Sequence, residues 1–210
     1  MKTLFITATN TDVGKTYTTL KLIELLSQRG LKVGVFKPIE TGVKDVALDA
    51  SLLLKTCQKY NDNFKEFNAQ DITAYTFELA SAPFCADLDG VIDIKRIIEK
   101  HEELSKLCDI LLVEGAGGLL VPITKEYMMI NLIKELNAKT LLVTPSRLGC
   151  INETLQSILS LKTFDVDFEW CVNLYEDSNS FAKTTKPYYD EVFPKWWNIE
   201  SGLEEFTNLL

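Results

Sequence analysis

The sequence predicts an α/β protein, with a mostly parallel sheet and helices on both of its faces. Three observations predict it. Five short apolar runs, TLFIT, KVGVF, DILLVEG, KTLLVTP and FEWCVN, have the length and composition of buried strands. Longer stretches between them carry Leu or Ile at three- and four-residue spacing, the period of an amphipathic helix. The two kinds alternate along the chain, and that alternation favours a parallel sheet covered by helices. The 210 residues suffice for one such domain with a substantial core and are few for two, so a single domain over 1–210 is expected.

In chain order, TLFIT is the first strand and a helix over 16–28 follows it, ended by Gly30, which readily supplies a left-handed C-terminal turn. KVGVF is the second strand, with Lys37 directly after it and Pro38 fixing the backbone as the chain leaves the sheet. A helix over 48–59 opens on LDASLLLK, with Asp49 in its first turn, where the helix dipole favours an acid. The next helix, over 94–107, carries His101 in IIEKHEELSK, where a solvated face is expected. DILLVEG is a strand whose Glu114 is expected to emerge at the rim of the sheet. Helices over 127–136 and 152–162 alternate with the strands KTLLVTP and FEWCVN. No repeat, low-complexity tract or Pro/Gly/Ser linker interrupts the series.

Composition narrows the chemistry. Hydrophobic residues at 46% and charged residues at 25% fit a soluble globular enzyme rather than a disordered chain. With 22 basic against 30 acidic residues the net charge is -8, so no broad cationic surface is expected to follow a nucleic acid. Cys57, Cys85, Cys108, Cys150 and Cys171 form no CxxC pair and suit neither a disulfide framework nor a zinc site; they read as reduced thiols of a cytoplasmic protein. A single histidine leaves Ser-His, Cys-His and multi-histidine metal mechanisms without material. No apolar stretch approaches 18 residues and no cleavage-type leader is evident, so neither membrane spanning nor export is expected.

Open parallel sheets bind ligands at the carboxyl ends of their strands, and four strand ends here lead into TNTDVGKT, KPIETG, EGAGG and PSRLGCIN. The first contains GKT but has Thr9 where the strict phosphate-loop pattern has glycine. A bare GK[ST] arises by chance in roughly one chain in ten of this length, so the context of strand, GKT and amphipathic helix has to carry the reading. In that context Gly14 lets main-chain N–H groups approach phosphate, Lys15 reaches the terminal phosphates and Thr16 offers its hydroxyl to magnesium. A lysine at a helix start opposes the macrodipole unless an anion is bound. Glu114 is a magnesium-ligand candidate, because the ion takes one or two carboxylates together with phosphate oxygens. Asp49 is the second carboxylate, or simply an acid at a helix start. Gly115, Gly117 and Gly118 let another backbone pass close to a charged ligand or form a plain turn, and Lys37 shares a strand-end cleft with Lys15.

Taken together, TNTDVGKT, FKPIETG, VEGAGG and SRLGCIN resemble the dethiobiotin synthetases of the P-loop NTPase superfamily, in order and spacing across roughly residues 1–173. In that family the loop reads GTDTxVGKT, one residue longer than the strict pattern, and its first glycine corresponds to Ala8. The resemblance implies a deviant phosphate-loop fold and an ATP-dependent cyclo-ligase of biotin biosynthesis. It takes 7,8-diaminopelargonate, carbon dioxide and ATP, uses Mg2+, and works as a cytoplasmic homodimer without nucleic acid or membrane. It implies catalytic roles for Lys15 and Lys37. Nucleotide contacts are implied for Asp12, Val13, Gly14, Lys15, Thr16 and Tyr17 in the first loop, for Asp49, and for Glu114, Gly115, Ala116 and Gly117 in the third, with Asn173 at the base. The metal would rest on Thr16, Asp49 and Glu114. Thr11, Lys37 and Thr41 would hold the diamine or its carbamate. Gly149, Cys150, Ile151 and Asn152 would open a helix that binds the substrate carboxylate across a dimer interface.

The chain departs from that family at Thr41, a serine in members, and at 82–84, APF where members commonly have SPH. Beyond Asn173 the usual late glycine and proline loop has no clear counterpart; Tyr188 or Tyr189 touches the substrate tail, or else joins an aromatic cluster with Trp196 and Trp197. A partition or septum-site type ATPase is the alternative. Such proteins carry a lysine five positions before the loop lysine, where this chain has Asn10, and SGLEEFTNLL is too short and acidic for a membrane-targeting helix. An amidating cobyrinate synthase type would need a glutaminase-like domain with its own cysteine and histidine, which the 210 residues do not contain.

Overall fold

The computed structural model describes residues 2–175 and 178–210. Six strands, β1 (Lys2–Ala8), β2 (Val33–Thr41), β3 (Thr73–Phe77), β4 (Ile110–Gly118), β5 (Lys139–Pro145) and β6 (Phe168–Asn173), form one all-parallel sheet. Its order is β3-β2-β4-β1-β5-β6. Parallel strands covered on both faces are uniformly apolar, and Leu4 to Ile6, Leu111 to Val113 and Leu141 to Val143 are fully buried at its centre.

The helices that flank the sheet are α1 (Lys15–Gln28), α2 (Leu48–Cys57), α3 (Pro83–Ala86), α4 (Ile94–Ser105), α5 (Met129–Glu135), α6 (Cys150–Thr163), α7 (Ser178–Thr184), α8 (Lys186–Val192) and α9 (Ile199–Phe206). Helix α1 buries Thr18, Thr19, Leu22, Ile23 and Leu26, the stripe expected of a helix lying on a sheet. Among the described residues no helix is long and apolar enough to cross a membrane.

Three features differ from the sequence expectation. Strands β2 and β4 run on past their apolar cores, so KPIET and EGAGG are extended strand rather than loop. Strand β3 was hidden in TAYTF, five residues without a sustained apolar pattern. His101 does not lie on a solvated face: it is buried, with Nε2 3.0 Å from Thr3 Oγ1. It shares the inner stripe of α4 with Ile97 and Leu104, which the surrounding charges disguise, and burial lowers its pKa. Tyr189 is also fully buried, edge-on to Trp170 at 5.4 Å and Trp196 at 5.9 Å, with its hydroxyl 2.9 Å from Thr154 Oγ1. The aromatic-cluster reading therefore holds for Tyr189 and Trp196, whereas Trp197 stacks separately on Phe206.

Candidate active site

The register of the sheet creates the site. Strand β2 pairs with β4 through Phe36 and Val113, then pairs only with β3 from Lys37 onward. Pro38, which has no N–H to give, sits where β2 has already left β4, so its missing donor costs nothing in the ladder. The ends of β2 and β4 are thus no longer neighbours, and a cavity of about 1030 Å³ lies there. Its wall takes in the phosphate loop, the end of β2, Asp49 at the start of α2, residues 80–83, Ala116 and Gly117, and Asn173 to Tyr175.

The phosphate loop is shaped by Gly14. Its φ of 105° is a left-handed conformation that opens α1, and a Cβ there would run into the side-chain amide of Asn173. That amide donates to Val13 O at 3.0 Å, tying β6 to the loop. Gly118, beside β1, presses on the same loop from the other side: a Cβ would stand 2.9 Å from Thr9 O. Lys15 follows Gly14 and is 8% exposed, with Nζ donating to Asn10 O at 3.0 Å. Burial and, after it, the nearby Lys37 ammonium lower its pKa to about 8 against the opposing pull of Glu114, Asp49 and Asp12.

Below the loop lies a compact charge cluster. Lys37 Nζ donates to Glu114 Oε1 at 2.7 Å and to Asp49 Oδ2 at 2.9 Å. Burial alone would lower the Lys37 pKa, yet the two carboxylates outweigh it and hold the lysine above its ordinary value. Burial would likewise raise Asp49, and Lys37 reverses that, leaving its carboxyl below the usual range. Glu114 does not reach a solvent rim: it is fully buried, because β4 continues past it and α1 covers it. Its buried charge is balanced on both oxygens, Oε1 by Lys37 and Thr16 (3.0 Å) and Oε2 by Thr19 (2.8 Å).

Thr16, Asp49 and Glu114 fit a magnesium ion. Thr16 Oγ1 lies 3.0 Å from Glu114 Oε1 and 3.2 Å from Asp49 Oδ1. An octahedron with Mg–O bonds of about 2.1 Å has neighbouring oxygens about 3 Å apart, so these separations already match its edges. Among the described residues no three His, Cys, Asp or Glu side chains gather into a self-sufficient metal cage. Two carboxylates and a hydroxyl are instead the set magnesium takes when phosphate oxygens and water complete its shell.

The other sequence-predicted residues divide into two groups. Thr11, Asp12, Tyr17, Thr41, Ala116, Gly117 and Asn173 line the cavity, while Val13 and Gly115 do not. Gly149, Cys150, Ile151 and Asn152 lie outside its wall, at the start of α6, where Cys150 is fully buried and Leu148 is 82% exposed. Two residues were missed. Glu200 on α9 accepts from the Tyr17 hydroxyl at 2.5 Å and pairs with Lys21 at 3.1 Å, giving the cavity an acidic wall beyond the phosphate loop. Glu40 accepts two backbone N–H groups of α2, and burial raises its pKa against those two bonds. The one signal for Glu40 in the sequence is negative: Ala47, at the N-cap of α2, has no side-chain acceptor.

Comparison with known proteins follows the same lines. Residues 2–169 match the family model described as an AAA domain. A protein of Sulfurovum sp. named ATP-dependent dethiobiotin synthetase is 60% identical over the whole of both chains. One of the same name from Wolinella succinogenes is 39% identical, covering 100% of this chain and 98% of its own. Among solved structures, the MinD cell division protein of Aquifex aeolicus superposes with a TM-score of 0.54 at 21% identity, covering 99% of this chain and 86% of its own. A plasmid partition protein of Borrelia burgdorferi superposes at 0.59 with 11% identity, covering 100% and 99%. At such identities these structures share the P-loop α/β fold and carry nothing further.

Proposed function

The chain belongs to the ATP-dependent dethiobiotin synthetase family, and on that premise we propose how its residues close the ureido ring of dethiobiotin. The observation that carries the reading is the convergence of Lys15, Lys37, Thr16, Asp49 and Glu114 at the parted ends of β2 and β4. One amine of 7,8-diaminopelargonate adds to carbon dioxide and loses a proton, giving a carbamate. The carbamate oxygen takes the γ-phosphoryl group of ATP and ADP leaves. The neighbouring amine then attacks the carbonyl carbon, the bond to the phosphate oxygen breaks, and ring and phosphate separate.

Two anions must meet in the second step, so the protein's task is to supply fixed positive charge rather than a nucleophile. Lys15 serves the triphosphate and Lys37 the carbamate, with Thr11 and Thr41 on the cavity wall beside the diamine. Thr16, Asp49 and Glu114 would hold Mg2+, which screens charge on the phosphate oxygens when bound. Asp12 to Tyr17, Gly115 to Gly117 and Asn173 frame the nucleotide. The absence of a catalytic histidine fits this chemistry, since His101 is committed to Thr3.

The start of α6 joins the reaction through a second copy of the chain. Leu148, Leu155 and Leu159 are 82%, 36% and 65% exposed, an apolar edge that supports a homodimer in which Gly149 to Asn152 faces the partner's cavity and receives the substrate carboxylate. The protein acts in the cytoplasm on small molecules, without nucleic acid or membrane, as a single domain.

The test is direct. The protein is incubated with diaminopelargonate, bicarbonate, magnesium and ATP, and phosphate release is followed with and without the diamine. Release that requires the diamine and yields dethiobiotin is the expected result. Hydrolysis indifferent to the diamine and stimulated by DNA or a partner protein would replace this reading with that of a switching ATPase.

A further inference from the structure

Glu40 stands in the cavity wall beside Asp49 and has none of the roles assigned above. It is 6% exposed, and its two oxygens each accept a backbone N–H from the first turn of α2: Asp49 N to Oε1 and Ala50 N to Oε2, both at 2.9 Å. Those N–H groups have no partner within the helix, and Ala47 at the N-cap has no side-chain oxygen to offer them. Strand β2 therefore caps α2 from a distance.

The capped residue is the one whose side chain matters. Asp49 holds Lys37 at 2.9 Å and Thr16 at 3.2 Å, yet its side chain is 40% exposed and sits in the turn of a helix where fraying begins. Little packing restrains it. Glu40 and Lys37 lie three residues apart on β2, so a single strand holds the Asp49 backbone with an anion and its carboxylate with a cation. Were β2 and α2 to separate, both restraints would be lost together.

We propose that Glu40 is a positioning residue for the divalent-ion site: it anchors the first turn of α2 to β2 and thereby fixes where the Asp49 carboxylate points. The proposal rests on the reading of Thr16, Asp49 and Glu114 as the ion's ligands. A plain helix cap would stabilise the fold and leave ion affinity unchanged. A charge acting through space would weaken the ion whatever residue stood at 49. Only a residue acting through Asp49 loses its effect when Asp49 is altered.

The experiment is a double-mutant cycle on the full chain, read as the dissociation constant of Mn2+ in the presence of ADP by electron paramagnetic resonance, with thermal unfolding as a check on folding. Glu40→Gln keeps the volume and one acceptor, and removal of a residue that orients a metal ligand weakens binding about 10- to 100-fold. Asp49→Asn should weaken Mn2+ as well, and adding Glu40→Gln to it should change the affinity by less than about twofold. If Glu40→Gln does not fold, Glu40→Asp, too short to reach both N–H groups, takes its place in the cycle. Wild-type affinity in the Glu40 variant, or losses that add in the double variant, would overturn the proposal while leaving the ion site standing. An Asp49→Asn protein with undiminished affinity would overturn the ion site itself and this proposal with it.

Discussion

Lys37→Met tests whether the ammonium group and a divalent ion share the same two carboxylates. Lys37 is 3% exposed and Glu114 fully buried, and their contact is 2.7 Å. Removing one partner of such a pair leaves an uncompensated buried charge, at a cost of about 3–5 kcal/mol. For a domain of this size 1 kcal/mol shifts Tm by about 2–4 °C, so the variant should melt roughly 6–20 °C below the parent in EDTA at pH 8. Magnesium should then recover much of that loss, because the oxygens of Thr16, Asp49 and Glu114 become available without displacing Lys37. The parent, whose carboxylates are already paired, should gain less from the same ion. Differential scanning calorimetry in EDTA and in millimolar magnesium reads both effects. Dethiobiotin formation should fall on the order of 100- to 1000-fold even where magnesium restores the fold, the loss typical of removing a transition-state charge partner. A variant that melts within 2 °C of the parent in EDTA, about 1 kcal/mol or less, or draws no extra stability from magnesium, would refute the shared-site argument.

Gly14→Ala forces a side chain into a left-handed backbone and against the Asn173 amide, a strain of about 1–3 kcal/mol; triphosphate affinity measured by calorimetry should drop by about tenfold or more, and an unchanged affinity would show that the loop is not the phosphate cradle. Lys15 should make nucleotide binding proton-linked. In the ligand-free fold its pKa is lowered to about 8 from 10.5, so its stability penalty is present below pH 8 and is relieved as pH rises through 8 toward 10.5. A bound triphosphate restores the proton, so calorimetry in buffers of different ionisation heat should find uptake of about 0.9 proton at pH 9 and about 0.1 at pH 7. No uptake at pH 9, or the same uptake in Lys15→Met, would contradict that assignment.

What was legible in the sequence was local. The path from β1 through the loop to α1 is continuous in the chain, so Gly14, Lys15 and Thr16 could be placed from their neighbours alone. Lys37 and Glu114 were legible as charges at the ends of apolar runs. Their burial was not, because Pro38 and the glycines after Glu114 are the residues that usually end a strand, and here the strands continue while their pairing stops. His101 was misplaced for a related reason: four charged neighbours in EKHEE hide a stripe that only the helical period and a partner on β1 reveal. Glu40 was out of reach, since its bonds join a strand to a helix nine and ten residues away and no local pattern marks an acceptor supplied from elsewhere. The packing of the C-terminal segment beyond Asn173 was not legible either: Phe181, Tyr189 and Trp196 pack on one another, and aromatic packing imposes no fixed spacing along the chain.

The balance of charge at the site argues for an order of events. Lys15 and Lys37 face Asp49 and Glu114, two ammonium groups against two carboxylates, with Asp12 and Glu40 close by, so the ligand-free cluster offers no excess of positive charge. Lys37 in particular is spent on the carboxylates rather than offered to a carbamate. On the proposed reading, the oxygens of Asp49 and Glu114 that hold Lys37 are the ones that would hold a divalent ion, so with the ion bound they would hold Lys37 less strongly. Lys37 would then be free to meet the carbamate in the nucleotide-loaded site rather than in the empty one. Such an arrangement would disfavour unproductive carbamate binding without nucleotide, and it rests on one distance, the 2.7 Å between Lys37 and Glu114, more than on any feature of the fold.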